Sequence, residues 1–486
     1  MNMVNNIQTI KTKIAFVETN PPNLRGNYTK CNNFEPYGLE LLASSAKQQG
    51  FDVQLLQQNE VPDEEFTARV LKNSPDILAF SCMTFNYNSS LAIAELAKKQ
   101  NPSIKVIFGG PHISSFPQSL QTPMQQGLVD YGIRGEADIT FKDLIKNPDS
   151  PDLSLDGLIS NQRDFRINPS GSRITSLDAL PFALRNPRIL TRTKIGRIME
   201  PSQSEQISTA TISYSRGCPF SCSYCDSKNI WGNNVVWRSA SNVADEIEQL
   251  KQQYGTNCVF FADLTFNANP DKVKELCEEL IQRKTDVNWY VLARAATPEG
   301  ETPLIDKELL TLMHQAGCRK VGYGLESVIP EVQREFKKTI PNSLIRDLVQ
   351  YGHDLGILNK GFIILGDPKY ESSETVKTTL EVLKTIKFDE IRTSFLTPFP
   401  NSELFQQAKQ QGDLLTEDFS RYTTDEPILK CNHLTTQELI AARKQITEGY
   451  YQSQEYKNMV AQKTLKFPQL AKPYEEHHQF LRERGI

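Results

Sequence analysis

Short apolar runs alternate with amphipathic stretches over the first ~145 residues of the chain. KIAFVET (13–19), FDVQLL (51–56), DILAFSC (76–82), IKVIFGG (104–110) and VDYGIRG (129–135) have the length and composition of strands. Between them GLELLASSAKQQG, DEEFTARVLKN, SSLAIAELAKKQ and the stretch around 116–126 show helical spacing. Strand and helix in strict alternation predict a five-stranded parallel sheet with right-handed crossovers, the doubly wound α/β arrangement. Ligands of such sheets bind beyond the carboxyl ends of the strands.

The rhythm breaks over 148–207, where prolines at 148, 151, 169, 181, 187 and 201 stand among Ser, Asn and Gly. This stretch reads as a linker or wrapped connection. Alternation resumes at 208, with strands expected at 208–215, 258–263, 287–293, 320–326, 356–365 and 390–396. Helices are expected between them, and six such units predict a partial (β/α)6 barrel of TIM type, whose chemistry lies at the carboxyl ends of its strands. The last ~75 residues read as helical. The expected division is therefore 1–147, 148–207, 208–410 and 411–486.

Composition narrows the class. A chain of 486 residues with 38% hydrophobic and 23% charged residues is that of a multidomain globular protein. No apolar run approaches the ~20 residues of a membrane span and the start lacks a secretory apolar core, so a cytoplasmic protein is expected. A net charge of -4 gives no global case for nucleic acid. Nine cysteines predict reduced thiols rather than a disulfide framework. Six are scattered, at 31, 82, 258, 277, 318 and 431, and read as small core residues.

The other three crowd into RGCPFSCSYC (216–225). Cys218, Cys222 and Cys225 follow the first barrel strand, and no fourth Cys or His lies nearby to close a zinc tetrahedron. Three thiolates suit a 4Fe-4S cluster with one iron left open. The motif, with Tyr224 before its last cysteine, resembles the radical S-adenosylmethionine (SAM) superfamily. That resemblance implies that the open iron chelates SAM, which an electron from the cluster cleaves to a 5′-deoxyadenosyl radical. It extends along the barrel. FFADLTF (260–266) places Asp263 near the SAM amino group, VLARA places Arg294 opposite its carboxylate, and AGCRKVGYGLES (316–327) brings Glu326 and Ser327 to the cofactor. GFIILGDP (361–368) resembles the glycine pattern packed against adenine, giving Gly366, although the KYE that follows departs from it by one residue. Ordinary rim salt bridges are the alternative for Asp263, Arg294 and Glu326.

TPFPNSELF (397–405) resembles the sixth-strand signature of a subgroup that carries an amino-terminal Rossmann-like cobalamin-binding domain. Carried onto the front sheet, the resemblance implies a nucleotide tail lined by Ser81 and by Gly109 and Gly110. Tyr37 and Gly38 in EPYGLELLAS, and Gly135 and Glu136 in RGEADITF, match further subgroup segments. His112 has two readings, facing the corrin or capping a helix. The Asp-x-His-x-x-Gly loop is absent after the first strand, which excludes a cobalt-ligating histidine from that loop. The resemblance implies an enzyme that methylates an unactivated carbon of a small molecule through methylcobalamin, reduced by an external flavodoxin- or ferredoxin-type donor. Cyclisation, ring contraction or oxidation with the same cofactors is the alternative. An RNA methylthiotransferase would want a second three-cysteine cluster and a basic tail, and a cobalamin sensor has no use for the triad.

Overall fold

The computed structural model describes residues 11–21, 35–58, 61–171, 173–186, 209–483 and 486. Cys31, most of the loop after the first strand and the connection 187–207 lie outside them. The chain forms two compact units, one drawn from 1–29, 36–174 and 179–186, the other from 30–35, 175–178 and 187–486.

The front unit holds β1 (Lys13–Glu18), β2 (Asp52–Gln57), β3 (Ile77–Ser81), β4 (Lys105–Gly109), β5 (Tyr131–Ile133), β6 (Leu158–Ser160) and β7 (Arg166–Ile167) in one sheet of order β2-β1-β3-β4-β5-β6-β7. The first five are parallel. Strand order reverses direction at β1, which makes the carboxyl ends of β1 and β3 the place for a ligand. Residues 14–17 of β1 are buried without interruption, as a parallel strand covered on both faces requires. The helix expected at 116–126 is broken by Pro117 and Pro123 into the 3-10 turn Pro117–Leu120 and the short helix Gln121–Gln125.

Part of the proline-rich stretch after 148 packs into the front unit as strands. β6 and β7 extend the sheet antiparallel to β5. Tyr131 and Thr140 donate to the carbonyls of Pro148 (2.9 Å) and Asp156 (2.6 Å), and Arg185 makes a buried ion pair with Glu40 at 2.9 Å. Strands of three and two residues are too short to display a period.

In the second unit β8 (Thr209–Ile212), β11 (Cys258–Phe261), β12 (Asn288–Ala293), β13 (Cys318–Glu326), β14 (Leu358–Leu365) and β15 (Glu390–Phe395) form a six-stranded sheet of order β15-β14-β13-β12-β11-β8, parallel throughout. β9 (Ser215–Arg216) and β10 (Val236–Trp237) form a separate two-stranded ladder. Alternate residues, among them Trp289, Val291, Val321, Tyr323, Ile363 and Phe395, join the surrounding helices in a single core. The tail is helical, at Thr436–Gln452, Gln454–Lys466 and Ala471–Arg482, and Tyr450, Tyr456 and Leu481 enter that same core. At the amino-terminal ends of β14 and β15, buried Lys463 donates to Asp389 (2.7 and 2.8 Å) and to the Ile357 carbonyl (2.6 Å).

Candidate active site at the carboxyl ends of the barrel strands

The cysteine loop is closed by the β9–β10 ladder, which pairs Arg216 with Val236 and Ser215 with Trp237. Asp263, at the end of β11, accepts from the Tyr214 N–H (3.0 Å), the Ser215 N–H (2.6 Å) and the Ser215 hydroxyl. Burial pushes its carboxyl up to about 6. Arg238 holds the other side, donating to the Ser213 carbonyl (2.9 Å) and to Glu246 (2.6 Å). Gly217 then turns the chain with φ +107, a region open to glycine, and delivers Cys218. Farther along, Ser223 is tied to the Phe336 and Glu335 carbonyls (3.3 and 2.7 Å), and Asn229 to the Asn401 carbonyl (3.0 Å). Tyr224 packs edge-on against Phe336 with centroids 5.0 Å apart, and burial drives its hydroxyl well above the usual range.

Each of the three sulfurs has a polar neighbour. Cys218 Sγ lies 3.5 Å from Thr265 Oγ1, Cys225 Sγ lies 3.2 Å from Ser227 Oγ, and Arg294 Nη1 donates to Cys222 Sγ at 3.5 Å. Arg294 is 3% exposed, lies over the Phe220 ring at 4.4 Å and donates through Nε to the Ala296 carbonyl (2.7 Å). Among the described residues its buried Nη2 has no hydrogen-bond partner. A buried cation with an open donor beside three thiols fits an anionic group at that place. No three His, Cys, Asp or Glu side chains among the described residues converge as a single metal ion would require. A cluster, by contrast, gives each sulfur its own iron.

β13 ends in a bulge at Glu326, whose φ of +63 is unusual for a residue with a side chain. Lys338 holds the carboxylate at 2.8 Å. A Cβ at Gly324 would fall 2.5 Å from Lys338 Nζ, so glycine there makes the pair possible.

The structure thus brings Cys222, Tyr224, Cys225, Arg294 and Glu326 into one electrostatic neighbourhood. The other residues that the resemblance assigns to SAM have their polar groups engaged by the protein. Both oxygens of Asp263 brace the loop. Ser327 Oγ accepts from the Ile329 N–H (3.1 Å). The Gly366 N–H donates to Glu371 (2.9 Å), and a Cβ there would meet Leu439 at 2.9 Å. Thr265, Ser227, Asn267 and Lys338 escape sequence reasoning. Thr265 and Asn267 stand two and four residues after Asp263, a spacing that was there to be read. Lys338 reaches Glu326 only through space.

In the front unit Ser81 and Gly109 lie in register at the carboxyl ends of β3 and β4. Gly110 has φ +95, and a Cβ there would meet Cys82 N at 2.7 Å, so the close approach of two loops already demands glycine. The His112 ring is fully buried, tilted by 35° against Tyr87 with centroids 4.4 Å apart and with Thr84 Oγ1 3.4 Å from Nδ1, and burial pushes it down to about 3. A neutral ring without exposed surface packs the loop. Tyr37 lies under the Arg185 guanidinium at 5.4 Å, a Cβ at Gly38 would meet nothing within 4 Å among the described residues, the Gly135 N–H donates to Ser114 (2.9 Å), and Glu136 accepts from the Ile174 N–H (3.0 Å). Met83 and Ile139, 40% and 51% exposed, are apolar side chains in the segments that follow β3 and β5. Glu18, at the end of β1, accepts from Gln57 at 2.6 Å, and burial pushes it up to about 7.

A family model described as B12 binding domain matches residues 32–145, and one described as Radical SAM superfamily matches 212–391. The chain is 25% identical over 457 residues to a protein of Pyrococcus horikoshii named as an uncharacterized methyltransferase, covering 93% of this chain and 92% of that one. It is 26% identical over 416 residues to an anaerobic magnesium-protoporphyrin IX monomethyl ester cyclase of Rubrivivax gelatinosus, covering 84% and 72%. Among solved structures it is similar to the radical S-adenosylmethionine methyltransferase TsrM from Kitasatospora setae with cobalamin and a [4Fe-4S] cluster bound, at TM-score 0.66 and 18% identity, over 83% of this chain and 75% of that one, a likeness of fold. The front unit therefore matches a B12 binding domain and the barrel matches the Radical SAM superfamily, with three cysteines at the carboxyl end of the first barrel strand.

Proposed function

We propose that the chain is a cobalamin-dependent C-methyltransferase that acts on an unactivated carbon of a small molecule. The observation that carries the reading is the trio of thiols with the open Nη2 of Arg294 beside it. When bound, a reduced cluster would supply the electron for SAM cleavage and cobalamin would supply the methyl carrier. The residues of this chain position and enclose. Cys218, Cys222 and Cys225 hold the cluster on a loop fixed from both sides. Arg294 offers a donor to the SAM carboxylate, and Glu326, held by Lys338, offers an acceptor. Ser81 and Gly109 leave room for the cobalamin tail, and Met83 and Ile139 offer apolar surface to the corrin. Among the described residues no helix is long and apolar enough to cross a membrane. A reducing, cytoplasmic setting with a flavodoxin- or ferredoxin-type donor suits three free thiols.

Support for methyl transfer comes from the methyltransferase matched over nearly its whole length. The cyclase relative favours a second reading, ring closure with the same cofactors. The two separate when the reconstituted enzyme is incubated anaerobically with methyl-labelled SAM and a metabolite extract of its own cells. Label in a new extract component, absent with Cys222→Ala, supports methylation. Turnover of SAM to 5′-deoxyadenosine with an extract component consumed and no label incorporated supports ring closure.

A further inference from the structure

The segment ADLTFN (262–267), which leaves the end of β11, serves the site three times. Asp263 fixes the strand that leads into the cysteine loop. Asn267 grips the end of β12 on both sides of Arg294, accepting from its N–H (3.0 Å) and donating to its carbonyl (2.7 Å). Thr265, between them, places its hydroxyl 3.5 Å from Cys218 Sγ. The segment is rigid, because the Phe266 N–H donates to the Leu292 carbonyl (3.0 Å) and the Phe266 ring is fully buried against Trp289. Ser227 stands toward Cys225 as Thr265 stands toward Cys218, buried and 3.2 Å from the sulfur.

We propose that Thr265 and Ser227 are positioning residues that set the reduction potential of the cluster by donating hydrogen bonds to the thiolates of Cys218 and Cys225, as Arg294 does to Cys222. The inference rests on the cysteines holding an iron-sulfur cluster. A thiol and a hydroxyl can each donate to the other, but a sulfur bound to iron has lost its proton and only accepts. Iron binding therefore fixes both hydroxyls as donors. A donor at a ligand sulfur draws negative charge off the cluster and favours the reduced form, which carries one electron more. Removing it lowers the potential. One charge-assisted hydrogen bond of ordinary strength corresponds to roughly a tenfold change in the reduced-to-oxidised ratio at fixed poise. For a one-electron couple that is about 59 mV.

The test is a potentiometric titration of the reconstituted enzyme, followed by the electron paramagnetic resonance of the reduced cluster. Parent, Thr265→Val, Thr265→Ser, Ser227→Ala and the double variant Thr265→Val with Ser227→Ala are compared at equal iron content. The proposal expects about a tenfold shift toward the oxidised form in each single hydroxyl-less variant, about a hundredfold in the double, and a return toward the parent in Thr265→Ser, which keeps the hydroxyl. Potentials equal to the parent in Thr265→Val and Ser227→Ala overturn it, as does a Thr265→Ser potential that falls with that of Thr265→Val. Where Thr265→Val takes up no iron, Ser227→Ala decides by the same criterion. A parent that binds no iron at all fails the reading of the cysteines instead, and the two failures are told apart before any potential is measured.

Discussion

Lys463→Met tests how the carboxy-terminal helices hold the barrel. Lys463 is 4% exposed and reaches Asp389 at 2.7 and 2.8 Å and the Ile357 carbonyl at 2.6 Å. Asp389 has no solvent exposure and also accepts from the Asn359 N–H (2.6 Å) and the Tyr474 hydroxyl. Methionine keeps most of the aliphatic stem while removing the charge, which leaves the buried carboxylate with no lysine and beside the His353 ring, 3.8 Å away and held neutral by burial. Breaking one side of a buried pair costs about 3–5 kcal/mol. With a urea slope of about 3 kcal/mol per molar, at the top of the range for small proteins, the midpoint falls by about 1–2 M. All three tryptophans, Trp231, Trp237 and Trp289, belong to the barrel unit, so their fluorescence reports that unit. The deficit also depends on pH. Lys463 is the largest influence holding Asp389 below the carboxylate range. With the lysine present, stability is lost as pH falls through that low value. Without it, burial raises the carboxyl, so stability is gained as pH falls. The gap between parent and variant therefore narrows from pH 8 to pH 5. A midpoint shift below about 0.3 M, or a gap that widens toward pH 5, refutes the reasoning.

Glu18→Gln removes a carboxyl whose folded value is raised to about 7, a group that destabilises the folded state as pH climbs from 4.5 to 7. The variant is expected to flatten that dependence and to protect the β1 amides by about 3 kcal/mol more at pH 8 in hydrogen exchange; unchanged protection contradicts this. Gly109 and Gly110 should separate folding from cobalamin binding. Gly110→Ala, with φ +95 and Cys82 N 2.7 Å away, costs about 2 kcal/mol or more and melts the front unit early. Gly109→Ala, whose nearest neighbours lie at 3.7 and 3.9 Å, melts like the parent but retains less cobalamin on gel filtration. Equal melting of the two variants contradicts the loop argument, and equal cobalamin retention contradicts the tail path. Arg294→Met removes the open Nη2 and should weaken SAM binding roughly 10- to 100-fold by calorimetry on the reconstituted protein; unchanged affinity removes Arg294 from the SAM site.

What was legible in the sequence was what is local. Continuous apolar runs such as KIAFVE announce parallel strands because both faces are buried, and three cysteines within eight residues announce a cluster because their spacing is short. β6 and β7 were hidden in a proline-rich stretch because three and two residues carry no period, and tertiary pairing with β5 decides them. Asp263 stood out at the end of its strand, but residue type alone does not separate a carboxylate that meets a ligand from one that braces two backbone N–H groups. His112 follows a glycine pair at the carboxyl end of β4, and its ring turns inward onto Tyr87. Lys338 lies twelve residues past Glu326, and nothing before the fold exists links the two.

The central claim is that Cys218, Cys222 and Cys225 hold a cluster that cleaves SAM. Its most direct measurement is anaerobic reconstitution with iron, sulfide and cobalamin, then reduction in the presence of SAM, with 5′-deoxyadenosine quantified for the parent and for Cys222→Ala. The account predicts 5′-deoxyadenosine from the parent and none above background from Cys222→Ala. A reconstituted parent that forms none, or a Cys222→Ala variant that matches it, would contradict the account.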